Sequence, residues 1–240
     1  MPAAAPLAEL RIRIPGLLYL VVVLTGIFSI GYVPQQLFAS SDPAATLAAV
    51  RDNLPLLRAA IVVGALCYIA YLLLPLSLYR TFAPWGSRAA TLMVAFVAVS
   101  VPISLANLGH RPEILSLADG SAALTDAERL AALALADLRY DNGQRIAAVF
   151  WGLWLIPLGL LILRSRLVPR PLGVLLIAGG IGYPVAILGS VLSPAFDASA
   201  WPNWLTRPAT IGELGTCAWL LWRPPVPQQP DARTGAHRAA

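Results

Sequence analysis

The sequence predicts an all-α membrane protein with six transmembrane helices and one external amphipathic helix. Three observations carry this. Five apolar runs, at 14–33, 59–79, 89–109, 146–163 and 172–193, contain no charged residue, and a sixth, 208–222, has a single charge, Glu213, at its middle. Hydrophobic residues make up 58% of the chain and charged residues 12%, against about 25% charged in soluble domains. Finally, no segment alternates with the period of two that a closed barrel strand requires. That leaves the helix as the structure able to satisfy backbone polar groups inside lipid.

Each element follows in order. A hydrocarbon core about 30 Å thick needs roughly 20 apolar residues in a helix, and the first five runs hold 20, 21, 21, 18 and 22. The first run follows Arg11 and Arg13 but is too long for the core of a signal peptide, so it is read as a retained helix. Between it and the second, Ser40-Ser41-Asp42-Pro43 predicts a turn into a short helix around 43–53. The loops 80–88 and 164–171 are short and basic. The long loop 110–145 contains Thr125-Asp126-Ala127-Glu128, a capping box. It opens an amphipathic helix over about 126–142, with Leu130, Ala131, Ala134, Leu135 and Leu138 on one face and Asp126, Arg129, Asp137, Asp141 and Gln144 on the other. The sixth span, about 205–222, has 15 residues between Arg207 and Arg223, about 22 Å at 1.5 Å per residue. It crosses if both arginines snorkel. Residues 1–10 and 224–240 are Pro/Ala-rich and are expected to be disordered tails around a transmembrane domain at 11–223.

Finer features refine the bundle. Pro75, Pro102, Pro157 and Pro184 fall inside four spans and bend them. Ala178, Gly182, Ala186 and Ser190 form a small-residue stripe on the fifth, which allows close helix approach. Trp151, Trp154, Trp201 and Trp204 are read as markers of the outer membrane interface, and Trp85, Trp219 and Trp222 of the inner one. Cys67 and Cys217 lie inside spans two and six in no metal or redox spacing and are expected to be buried structural thiols.

Charge sets orientation. All 17 basic residues are arginine, and the net charge is +5. With six spans, ten arginines fall on the side of the termini and seven on the other, with Arg129 and Arg139 of those seven deep in the long loop, where charge weighs least. Both termini are therefore expected in the cytoplasm, with the protein in the inner (plasma) membrane. The positive charge is accounted for by anionic lipid at the inner leaflet, and no nucleic-acid partner is implied.

Several segments together resemble a known family: Arg13-Ile14-Pro15-Gly16-Leu17-Leu18-Tyr19-Leu20, then Thr25-Gly26-Ile27-Phe28, Leu78-Tyr79-Arg80, Leu167-Val168-Pro169-Arg170-Pro171-Leu172-Gly173-Val174-Leu175-Leu176, Ala178-Gly179-Gly180-Ile181-Gly182-Tyr183, and Gly212-Glu213-Leu214 with Trp219-Leu220-Leu221. In order and spacing they resemble the bacterial membrane family catalogued as domain of unknown function 4386, over roughly residues 10–223. The resemblance implies a six-span helical protein. It carries no reaction, so it assigns no catalytic residue, though Glu213 falls on its Gly-Glu-Leu position.

Glu213 is the residue on which chemistry is expected to centre. A charged carboxylate at the centre of a membrane helix costs on the order of 2.5–3.5 kcal/mol. Thr206, Thr210, Thr216 and Cys217 are placed on its face, span three offers Ser100, Ser104, Asn107 and then His110, and Tyr68 and Tyr183 lie at similar depth. These are expected to converge inside the bundle. Haem held by two histidines, histidine-rich di-iron sites and tetrahedral zinc need more ligands than the chain offers, and no metal or cofactor is expected. Asp137-x-x-x-Asp141 has the spacing of a magnesium–diphosphate pair but is read as a solvated face, and no Gly-x-Ser-x-Gly elbow or P-loop occurs.

Three functions are compatible with these residues. The leading one is an intramembrane polar pocket, anchored by Glu213 with Tyr68, Ser100, Ser104, Asn107, His110, Tyr183 and Thr210 as ligand-binding residues, that takes a lipid or lipophilic small molecule. The second is an isomerase- or cyclase-type enzyme with Glu213 as general acid on such a molecule. The third is a structural subunit of a membrane complex.

Overall fold

The computed structural model of the protein describes residues 4–121 and 123–223, with side chains from Arg13 onward. Among the described residues there is no strand. The first rod comprises α1 (Ala4–Gly26), a π-helical turn (Ile27–Tyr32) and α2 (Val33–Leu37). Pro34 has no N–H for the carbonyl four residues back, and the widened turn lies immediately before it. Ser29 donates its hydroxyl to the Thr25 carbonyl at 2.7 Å, satisfying backbone that the wider turn loosens. The tails expected at 1–3 and 224–240 lie outside the described residues. Residues 4–10, expected in the N-terminal tail, instead form the start of α1, where Ala, Leu and Glu favour helix and Pro6 sits in the first turn.

The short helix expected around 43–53 is α3 (Pro43–Asp52), with the Ala44 amide donating to Asp42 Oδ1 at 3.0 Å. α4 (Leu54–Phe82) keeps Pro75 within one helix. α5 (Ser87–Leu108) and α6 (His110–Ala118) part at Gly109, because Pro112 cannot donate to Leu108. α6 is a correction to the sequence reading, which left 110–118 as loop. α7 (Asp126–Leu153) opens with the expected capping box, the Thr125 amide donating to Glu128 Oε2 at 2.9 Å. It gives way to α8 (Leu155–Ser165) at Trp154, one residue beyond the carbonyl of Leu153 that Pro157 leaves without a donor. α9 (Arg170–Leu192), the single turn α10 (Pro194–Asp197) and α11 (Trp201–Trp222) complete the chain.

The long elements form a ring. α1 packs on α4, α4 on α5, α5 on α7 and α8, these on α9, α9 on α11, and α11 closes onto α1. Glycines allow close backbone approach at several of these contacts. On α9, Gly182 abuts the Leu205 carbonyl and Gly179 abuts Ala209, while Gly212 and Gly215 of α11 receive Leu176 and Leu172. These pairs run antiparallel in one register. On its other side, a β-carbon on Gly173 would lie 2.9 Å from the Gly159 carbonyl, and one on Gly180 2.9 Å from that of Gly152. The expected stripe is thus refined: Gly182 and Ala186 are buried, whereas the closest approaches also use Gly173, Gly179 and Gly180.

Among the described residues, five helical stretches are long and apolar enough to cross a membrane: Arg13–Leu37, Leu54–Trp85, Ser87–Ala118, Asp126–Ser165 and Arg170–Leu192. α11, with 22 residues, is one residue shorter than the shortest of them, and Asn203, Arg207 and Glu213 lower its hydropathy. Large apolar side chains face outward all round the ring, including Leu24, Val62, Leu66, Leu92, Leu188 and Ile211. That surface is the one a protein presents to lipid.

At one end, a cap made of α2, α3, α6, the start of α4 and the first half of α7 encloses a second apolar core of Leu37, Val50, Leu57, Ile114, Leu133 and Ala136. This corrects the expected face of the 126–142 helix. Leu135 and Leu138 are exposed, and Arg129, Leu133, Ala136 and Tyr140 are buried, because α3 and α6 cover that side. Arg111 on α6 lies between the rings of Phe38 and Tyr140, 3.8 and 3.7 Å from their centroids, and donates to Asp137 Oδ1 at 3.0 Å. Asp137 is therefore half-buried in an ion pair rather than on the solvated face expected for it.

Candidate functional site

Glu213 sits at the middle of α11, between buried Ala209, Gly212, Thr216 and Cys217. Tyr19, buried on α1, donates its hydroxyl to Glu213 Oε1 at 3.3 Å. Beside this pair lies a cavity of about 130 Å³, lined by Val22, Gly26 and Ile30 of the first rod, Cys67, Tyr68 and Tyr71 of α4, Trp151 and Trp154, Tyr183 of α9, and Glu213. Aromatic packing builds its wall. Trp154 meets Tyr71 edge-on at 5.5 Å and Tyr19 at 6.1 Å, and Tyr68 meets Trp151 at 6.5 Å. Tyr183 lies over Gly152, where a β-carbon would collide with it, so the glycine between the tryptophans admits that ring.

Two polar atoms in this wall are buried without a protein partner, the Tyr71 hydroxyl and the Trp151 indole N–H. Buried polar atoms are paired in the great majority of cases; the hydroxyls of Ser100 and Thr216 are also unpartnered, in packed core, whereas Tyr71 and Trp151 are the two that line a cavity. A larger vestibule of about 420 Å³ shares Ile30, Trp151 and Tyr183 with the cavity; its surface is mostly apolar, with Ala148, Ala186 and Ile187, and carries the polar side chains of Gln144, Arg145, Asp197 and Asn203. Arg145 and Asp197 form an ion pair there at 3.2 Å.

The expected site residues divide. Glu213, Tyr68 and Tyr183 line the cavity together. Asn107 joins it indirectly: seated against Gly143, it donates to the Tyr140 carbonyl at 2.9 Å and to Gln144 Oε1 at 3.4 Å, and Tyr68 donates to the same oxygen at 3.3 Å. Ser100 and Ser104 are fully buried on α5 and do not line the cavity. His110 begins α6 in the cap, 3.5 Å from Glu113. Thr210 is exposed. Three residues before Glu213 puts it about 60° round the helix, outside the sector that α1 and α9 cover.

The sequence reading missed most of the aromatic wall. Trp151 and Trp154, expected at the outer interface, both line the cavity, and Trp154 is 1% exposed. Tyr19 and Tyr71 were not singled out, and Gln144 faces inward, not to the wet side. One signal was present: Tyr68/Tyr71 and Trp151/Trp154 are aromatic pairs three residues apart, and so on one helix face. Trp201, Trp204 and Trp222 are exposed. Both cysteines are buried free thiols, and Cys67 donates to the Val22 carbonyl at 3.6 Å.

No curated protein and no solved structure matches the chain. Residues 14–223 match the family model described as a domain of unknown function, DUF4386, and with that match covering most of its length and its helices those of an integral membrane protein, the chain belongs to that family.

Proposed function

We propose that this is a six-span membrane protein whose central cavity binds the polar end of a lipid or lipophilic small molecule at Glu213. The observation that carries the reading is the pair of buried, unpartnered donors, Tyr71 and Trp151, in the same wall as a carboxyl group. A ligand bearing oxygen acceptors would satisfy both. Size narrows the fit. A cavity of about 150 Å³ holds benzene, so 130 Å³ accommodates a single ring or compact head, with any longer portion continuing into the vestibule. In this reading α11 is the sixth crossing, supported by its outward Ile211 and Leu214 and by its place in the ring. The excess of arginine on the side of the termini puts both ends in the cytoplasm. The vestibule and the cap over 126–142 then face outward.

The test is mass spectrometry of lipid extracts from purified protein, wild type against Glu213→Gln and Tyr71→Phe. One molecular species enriched in wild type and depleted in both variants supports the reading. Bulk phospholipid in equal amounts from all three overturns it.

A further inference from the structure

Resting on that reading, we propose that the ligand's head is a substituted ammonium ion, with Glu213 as its counter-charge and the aromatic wall as its cage. Among the described residues that line the cavity, Glu213 is the sole ionisable acid or base apart from phenols and a thiol, and no arginine is with it. Its carboxyl group accepts a hydrogen bond from a neutral phenol, Tyr19. A carboxyl group held in a membrane interior either keeps its proton or takes a compensating charge. Among the described residues lining the cavity no cation is present, so a ligand cation is the partner that would hold it ionised.

The rest of the wall has the matching chemistry. Tyr68, Tyr71, Trp151, Trp154 and Tyr183 surround the space in front of Glu213. Aromatic faces carry negative quadrupole potential and attract cations, more strongly once water is excluded, and cages of this composition recognise quaternary ammonium groups. A trimethylammonium group has about the bulk of a benzene ring, which the volume admits. An alkylammonium donates few hydrogen bonds and needs none, so the indole N–H of Trp151 requires an acceptor elsewhere in the ligand. Trp151 lines both cavity and vestibule. The acceptor therefore belongs in the linker just behind the ammonium, as in an amino-alcohol ester or phosphoester, and the apolar remainder leaves through the vestibule.

The experiment uses the full-length protein in a non-ionic detergent, with hexyltrimethylammonium as probe and its uncharged carbon isostere as control, read by quenching of tryptophan fluorescence. Saturable binding of the ammonium at least about tenfold tighter than the isostere, and lost in Glu213→Gln, supports the proposal. Because the first comparison uses wild type alone, it stands even where the variant does not fold. Equal binding of both probes overturns the ammonium assignment and leaves a generic lipophilic cavity. Saturable binding of neither overturns the cavity reading as well. In nanodiscs, probe binding suppressed by phosphatidylcholine but not by phosphatidylglycerol assigns the ammonium to a lipid headgroup, and equal binding in both assigns it to a free amphiphile.

Discussion

The Tyr19 hydroxyl and Glu213 Oε1, 194 positions apart, meet at 3.3 Å and join the first long helix to the last. The bond closes the ring at the level of the cavity, and the Tyr19 ring also packs on Trp154. Tyr19→Phe keeps the ring and removes the bond, so it is expected to cost about 0.5–1.5 kcal/mol. Tyr19→Ala also removes a fully buried ring and is expected to cost about 3–5 kcal/mol. Thermal unfolding in detergent measures both. Equal losses for the two variants would mean that the ring contributes nothing beyond the hydrogen bond.

The glycines of α9 give a second, steric prediction. At Gly182 a β-carbon would collide with the backbone carbonyl of Leu205, and backbone cannot rotate away as a side chain can. Gly182→Ala must push α9 and α11 apart over the whole run from Gly182 to Leu172. Overpacking typically costs about 1–3 kcal/mol, and more where backbone must shift. At Gly31 an added β-carbon meets nothing within 4 Å, so Gly31→Ala should be neutral. The pair is compared by size-exclusion profile and melting temperature. A Gly182→Ala protein that behaves like Gly31→Ala contradicts the packing described.

These helices were legible in the sequence because a charge-free run of about 20 residues has few other fates. Which way each residue faces was not. In a soluble protein the apolar stripe points inward, but lipid is as apolar as a core, so hydropathy does not separate the two sides. On α4, Leu74 and Leu78 are fully buried while Leu66, Leu73 and Leu76 are exposed, and no hydropathy scale tells them apart. Polar residues in the spans carry more information: Glu213, Tyr68, Tyr183 and Asn107 all turn inward or join inward groups. The tryptophans show the same limit: a preference for a membrane interface says nothing of which way a ring turns, and Trp154 is buried in the ring's interior. In the cap, Arg129 read as solvent-facing because nothing in its own helix indicated that α6 would fold back over it.

Arg111 tests that cap. Its guanidinium stacks between Phe38 and Tyr140 while donating to Asp137. Lysine keeps the charge but cannot stack as a plane between two rings. Arg111→Lys is therefore expected to destabilise the cap by about 1–2 kcal/mol, on the scale of a partly desolvated cation–π contact. Hydrogen exchange should speed up in α6 and the first half of α7 and stay unchanged in α9 and α11. Uniform change across the protein would indicate that the cap and the ring are one cooperative unit.

The start of α7 is expected to depend on pH. The Thr125 hydroxyl and amide both donate to the Glu128 carboxylate, and these bonds hold its pKa below the ordinary 4.5. A carboxyl lowered on folding contributes stability that is fully present above its unfolded value and is lost as pH falls through the folded value. Amides of the first turn of α7 should exchange faster, relative to the rest of the cap, as pH drops below about 4.5. Glu128→Gln should remove that dependence, and Thr125→Ala should weaken the turn by about 1 kcal/mol at neutral pH. Exchange with the same pH profile in Glu128→Gln as in wild type would assign the effect to another group.

Tyr71→Phe separates a binding wall from a merely imperfect core. The hydroxyl is buried and has no protein partner, and leaving such a group unsatisfied costs about 1–3 kcal/mol. If the wall were only packing, deleting the hydroxyl would relieve that cost and nothing else. The delipidated variant is accordingly expected to melt at the same temperature as wild type or higher. A ligand acceptor that pairs with the hydroxyl reverses the order: protein purified with its native lipid should then melt lower as Tyr71→Phe than as wild type, because bound ligand stabilises the folded state in proportion to its affinity. The prediction is a crossing of the two melting curves between the delipidated and native-lipid preparations. Parallel shifts in both would show that Tyr71 meets no ligand, and would leave its hydroxyl as a defect of packing.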